Sequence, residues 1–266
     1  MLLTAALYVR GWWRLKRSSP GLISRTRLAA FLTGMASLWI AIGSPLSAFD
    51  DAALFVHMIQ HIILMMVAPP LILLGWPSLP LLHGFPEWFV RRAFGPVLRL
   101  RGIQAFGKFL TNPLVCWLLA AAALLVWHIP AIFEAAIRSD TLHDTEHACF
   151  FFTSILFWWA VVRPYPTDVR WTEWLIPVYL FLGMFPSGAL AAFLVFCDRV
   201  IYPSYATVHS IFGISAIGDQ VIAGGLMWVL GAFIYLIPAV GITMRLLSPR
   251  VASPQGALPL PSARHG

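Results

Sequence analysis

HMIQHIILMMVAPPLILLGWP, residues 57–77, is an apolar run with two histidines four positions apart at its head and Pro69, Pro70, Gly75, Trp76 and Pro77 toward its end. Taken from Ala52 to Leu74, it approaches the ~20 residues needed to cross a hydrocarbon core of ~30 Å. A segment in lipid has to satisfy its own backbone, so this one is expected to be a helix. On a helix His57 and His61 lie one turn apart on nearly the same face. Ionisable side chains are expensive inside a membrane and point to function there. A second stretch, HDTEH at 143–147, repeats the spacing.

The rest of the chain agrees with a membrane setting. Of its 266 residues, 59% are hydrophobic and only 11% charged, against about 45–50% and about 25% in soluble domains. The 12 tryptophans and 19 phenylalanines suit membrane–water interfaces. Cys116, Cys149 and Cys197 form no CxxC pair, which excludes a disulfide framework or a zinc ribbon. They read as small packing residues, with a ligand role kept open for Cys197 by its position.

Six runs are long enough to span: Leu28–Ala48, Ala52–Leu74, Pro113–Trp127 if extended through Ile129, Leu142–Val162, Trp174–Phe196 and Val221–Leu247. The apolar stretch Met1–Val9 would rise only ~13 Å as a helix and is expected to be a helix stub or a shallow anchor. Its basic residues follow the apolar run, unlike those of a signal peptide. The expected fold is therefore an all-α, polytopic integral membrane protein, with six full transmembrane helices plus a short N-terminal helix. Residues 1–247 form its membrane domain. Residues 248–266, rich in Pro, Ser and Gly, form a disordered cytoplasmic tail.

Alternate loops carry 16 of the 18 basic residues. Arg10 to Arg27 fall in the first such loop, Arg91 to Lys108 in the next, then Arg163 and Arg170, and finally Arg245, Arg250 and Arg264. The opposite loops hold only Arg138 and Arg199. By the positive-inside rule the basic loops and the C-terminus are cytoplasmic. The net charge of +7 is thus a topology signal and calls for no nucleic acid. The segment from Phe85 to Leu110 mixes aromatics with arginines and reads either as an amphipathic surface segment or as an ordinary basic loop.

With this orientation, six of the eight histidines lie at or near the outer face: His57, His61, His128, His143, His147 and His209. His83 falls on the cytoplasmic side and His265 in the tail. Met65 is expected one turn below His61 on the same stripe, and Asp140 and Asp144 on the face of His143 and His147. Asp219 opens the last long helix, with Met227 below it. The two histidine pairs would form a four-nitrogen metal site. Imidazole suits zinc, copper, iron and nickel, and the thioethers of Met65 and Met227 tilt the choice toward cuprous copper. Three histidines and a water would suit zinc. Asp144, Glu146 and Asp219 would orient the imidazoles from outside the ligand set.

Several stretches resemble one known family. HMIQHIILMMVAPPLILLGWP, LHDTEHACFFFTSILFWW at 142–159 and DQVIAGGLMW at 219–228 are similar to three segments of the CtaG-like cytochrome c oxidase assembly factors of the caa(3) type. LYVRGWWRLKR at 7–17 and GMASLWIAIGSPLSA at 34–48 look like the family's start. The resemblance runs from about residue 7 to 245. It implies a seven-helix protein of the bacterial cytoplasmic membrane that assembles haem–copper oxidase by helping copper reach it. Its partners would be oxidase subunits or copper donors, within membrane lipid. A metal role carries over to His57, His61, His143, His147 and Asp219. The short first helix departs from the family pattern and leaves the start of this chain in question.

Two other functions compete with a non-enzymatic copper carrier. In a b-type cytochrome, one histidine from each pair would ligate haem between facing helices. A zinc or iron membrane metalloenzyme would need an open metal position and a base, for which Glu146 is available. A desaturase-like site would want more histidines, often adjacent, and the chain has no HH pair.

Overall fold

A computed structural model describes residues 1–45, 49, 52–164, 171–207 and 212–248. Among them every regular element is helical. The disordered tail expected from 248 onward and the position of His209 fall outside this set, apart from Ser248.

The chain opens with α1 (Leu2–Ser18), α2 (Arg25–Gly43) and α3 (Leu54–Ile62). A π-helical turn, Ile63–Val67, joins α3 to α4 (Ala68–Leu74). There follow α5 (Ser78–Gly84), α6 (Glu87–Phe89), a second π turn at Val90–Phe94, α7 (Gly95–Arg99) and α8 (Arg101–Leu110). The remaining helices are α9 (Pro113–Trp127), α10 (Pro130–Ile137), α11 (Asp140–Val162), α12 (Leu175–Phe196), α13 (Ser204–Thr207) and α14 (Ala216–Leu247).

Among the described residues five segments are long and apolar enough to cross a membrane: α2, the combined Leu54–Leu74, α11, α12 and α14. The protein is a multi-pass membrane protein. The expected sixth span differs, because α9 stops at Trp127 after 15 residues, with His128 closing it. Fifteen residues rise only about 22 Å. Among the described residues a sixth segment reaches that length and apolarity if α8 and α9 are taken together, and they are bent by 65°.

The first helix also corrects the sequence reading. Instead of ending near Val9, α1 runs for 17 residues through the basic WWRLKR stretch and buries Tyr8, Gly11, Trp12 and Leu15. Its partner is α5, where a Cβ on Gly11 would run into the Pro80 carbonyl and one on Gly84 into that of Leu7. Tyr8 donates to the Gly75 carbonyl at 2.7 Å and stacks on Phe31. The segment 87–110 is helical in pieces and buries no residue, as a surface-lying amphipathic stretch would.

Leu54–Leu74 is the axis of the molecule. Of its apolar window 72% is buried, against 22–33% for the other spans. It packs on α2, α11 and α14. The π turn has a local cause. Pro69 has no N–H to give the Met65 carbonyl four residues earlier, and the Trp158 indole N–H of α11 fills the gap at 3.0 Å. The helix recloses with the Ala68 N–H on the Ile63 carbonyl, five residues back.

Candidate metal site

The head of α3 lacks a cap of its own. Ala53 occupies the cap position and offers no side-chain acceptor, so the first N–H groups of a buried helix would go unpaired. Asp219, in the first turn of α14, supplies what is missing. Its Oδ2 accepts from the Leu54 N–H at 2.7 Å and its Oδ1 from the Phe55 N–H at 2.9 Å. Anchored in this way, α3 turns His57 and His61 inward, 0% and 3% exposed.

Helix α11 meets α3 with its own pair. The His57 and His61 ring centroids lie 4.2 Å apart, as do those of His143 and His147. Across the helices, His57 is 5.2 Å from His143, and His61 is 5.4 Å from His147. His128, at the end of α9, stands 6.0 Å from His61. Glu146 is fully buried and brings an oxygen to 3.7 Å from His61 Nε2. Single ligand atoms of His57, His61 and Glu146 all lie within 4.8 Å of one another. Phe133 of α10 and Phe150 of α11 wall the cluster, with ring centroids 5.2 Å from His57 and 4.7 Å from His61.

The polar atoms of this cluster lack partners. Both ring nitrogens of His57 and of His61, the Nε2 atoms of His128, His143 and His147, and both oxygens of Glu146 are buried without a hydrogen bond. Leaving such groups unpaired costs about 1–3 kcal/mol each. His128 has one nitrogen fixed and the other free. Its Nδ1–H donates to the Leu124 carbonyl at 2.7 Å, since a carbonyl cannot donate, so Nε2 holds a bare lone pair. The donor set fits a transition metal, for which neutral imidazoles and one carboxylate are usual ligands.

The other expected site residues fare differently. The structure gives Asp219 the role of helix cap, with both oxygens accepting from α3, and it is not in the group of His57, His61 and Glu146. Met65 lies within the π turn, which breaks the regular stripe below His61. It lines a small cavity with Met66, Trp117, Phe157, Trp158 and Tyr235, and no histidine stands in that wall. Met227 lines another with Met184, Ser187 and Gly231. Asp140 and Asp144 are exposed, because α11 turns the face carrying Glu146 and Phe150 inward. The buried carboxylate is therefore Glu146. Cys197 closes α12 as a half-buried free thiol. The capping of α3 from α14 and the aromatic walls escaped the sequence reading. Ala53 at the cap position was the available signal for the first.

Beyond the cluster, Glu134 of α10 accepts from the N–H and hydroxyl of Ser204 at 3.0 and 2.6 Å and from Arg138 at 3.0 Å. Burial would raise its carboxyl pKa. The Ser204 bonds and the Arg138 charge outweigh that and hold it below the usual range.

The family model for the cytochrome c oxidase caa3 assembly factor (Caa3_CtaG) matches residues 6–248. The chain belongs to that family. Both histidine pairs, His128, Glu146 and Asp219 fall within the Caa3_CtaG match. The chain is also 28% identical over 212 residues to an uncharacterized protein of Mycobacterium bovis and to one of Mycobacterium tuberculosis, covering 76% of this chain and 31% of each relative. An uncharacterized protein of Mycobacterium leprae is 24% identical over 225 residues, covering 83% of this chain and 34% of the relative. The chain thus spans about a third of the length of these relatives. No solved structure matches it.

Proposed function

We propose that this protein is a non-enzymatic assembly factor that holds copper, as cargo, for a haem–copper cytochrome c oxidase. It would work in the bacterial cytoplasmic membrane, with its histidine cluster toward the outer side. One observation carries the metal reading: nine buried donor atoms on six side chains have no protein partner. Metal coordination would give several of them a partner. Family membership supports the oxidase as destination, and a haem–copper enzyme must acquire copper. The outward orientation rests on the split of 16 basic residues to two between the sides.

Met65 and Met227 no longer argue for copper, since they line other cavities. Haem finds less support, because the imidazoles of α3 and α11 already pack ring against ring. A macrocycle between them would have to part the helices. For a zinc hydrolase, Glu146 faces His61 inside the cluster instead of standing free as a base.

Two measurements test the proposal. Detergent-purified protein should bind cuprous ion, and His57→Ala or His61→Ala should weaken binding by at least about tenfold. Met65→Leu and His83→Ala should bind normally. Deleting the gene should lower copper-dependent oxidase activity without lowering oxidase transcription, in a strain with no equivalent factor. Unchanged oxidase activity when copper is scarce would sink the assembly role, and full binding after loss of either pair would sink the metal site.

A further inference from the structure

Six donor side chains are more than one four-coordinate ion can use. A tetrahedral site takes four ligands, and the cluster offers five imidazoles and a carboxylate. They also differ in setting. His57, His61 and Glu146 are almost fully buried and mutually within ligand reach. His143 and His147 are half-buried, their rings form a close pair of their own, and they do not belong to that group.

We infer that the cluster holds two cuprous ions in unequal positions: a receiving position at His143 and His147, and a storage position at His57, His61 and Glu146. This rests on the copper reading above. Charge distinguishes the two. A monovalent ion with two neutral imidazoles and one ionised carboxylate is electrically neutral, which a buried site in a membrane protein tolerates. A divalent ion there would leave a net charge, at a large desolvation cost. The receiving pair lacks a carboxylate of its own. Its Nε2 atoms are buried, but its residues are only half-buried; with two ligands instead of three it binds more weakly and exchanges faster. His57 adjoins both positions, with centroids 4.2 Å from His61 and 5.2 Å from His143. An ion can therefore pass by ligand exchange, releasing the bond to His143 as that to His57 forms. Its oxidation state does not change and no electron moves; the ion's charge replaces the proton that a buried, unpaired Glu146 carboxyl holds, and that proton leaves to solvent.

The test is an anaerobic titration of the full chain in detergent with cuprous ion, against a coloured cuprous chelator. Two ions per chain, in two steps of different affinity, are expected. The double variant His143→Ala/His147→Ala should lose the weaker ion and keep one tight ion that loads more slowly. Glu146→Gln keeps the shape of the side chain and should weaken the tight step by at least about tenfold, leaving the weak one. Circular dichroism of each variant checks that the helices persist. A single ion in the unaltered protein at saturation would overturn the two-position inference while leaving copper binding intact. So would complete loss of binding in the folded His143/His147 double variant. If the unaltered protein binds no ion at all, both this inference and the copper reading fall.

Discussion

At the scale of the residue, Asp219 differs most between sequence and structure. An acidic residue at the head of a membrane helix near two histidine pairs reads as a ligand. The structure instead uses its two oxygens to hold the first N–H groups of α3. A carboxylate at a helix N-terminus also meets the positive end of the helix dipole. Asp219→Ala should therefore destabilise the protein by about 1–3 kcal/mol, read as a lower thermal midpoint in detergent. Asp219→Asn should lose less, since the amide oxygen still accepts one bond. If Asp219→Ala abolished metal binding with no change in thermal midpoint, the capping role would be wrong and a ligand role restored. Glu146 makes the reverse move, from an expected supporting position to the buried carboxylate nearest His61.

At the scale of the element, Leu54–Leu74 depends on its neighbours to stay continuous. Pro69 removes a backbone donor, and Trp158 on another helix replaces it. A double-mutant cycle should expose this coupling. Trp158→Phe should cost about 1–3 kcal/mol from the orphaned Met65 carbonyl, besides any loss of packing. In a Pro69→Ala background, where residue 69 regains an N–H, the same change should cost measurably less. Equal costs in both backgrounds would refute the account.

A second link joins α10 to α13 through Glu134. Its carboxyl titrates below the unfolded value of 4.5. The stabilisation it gives is therefore complete above that value and is lost as pH falls through the lowered folded value. Amide exchange around Ser204 should accelerate once the carboxyl protonates in acid, and Glu134→Gln should abolish that pH dependence. Retained dependence in the glutamine variant would assign the effect to another group.

At the scale of the whole molecule, the distribution of basic residues predicts a direction. Reporter fusions at Pro254 should be active in the cytoplasm, and fusions between Trp127 and Asp140 should be active outside. The opposite pattern would turn the histidine cluster inward and end the proposed outward copper role. The bundle is arranged so that the span carrying two buried histidines is also its most enclosed. The histidine-bearing axis is 72% buried, with α2, α11 and α14 against it. An apolar sheath around a polar cluster excludes water from the imidazoles, and so leaves their lone pairs for an ion.

The sequence by itself determined the helical membrane class, the main apolar segments and the pairing of His57 with His61 and of His143 with His147. Each follows from local physics: backbone satisfaction in lipid, length against bilayer thickness, and the 3.6-residue turn. It misjudged the reach of α1, because the basic WWRLKR stretch is polar on average and buries only one stripe. It counted α9 as a span only by extending it through Ile129, and the structure ends the helix at Trp127, two residues before Ile129 and just ahead of Pro130. Only the tertiary structure decided which carboxylate joins the histidines, that Asp219 caps α3, and that Met65 faces a different cavity. Those outcomes depend on how helices rotate against one another and on a π turn created by Pro69 and completed by Trp158. Such contacts bring together residues nearly a hundred or more positions apart, and periodicity along one helix does not specify which face of another it will meet.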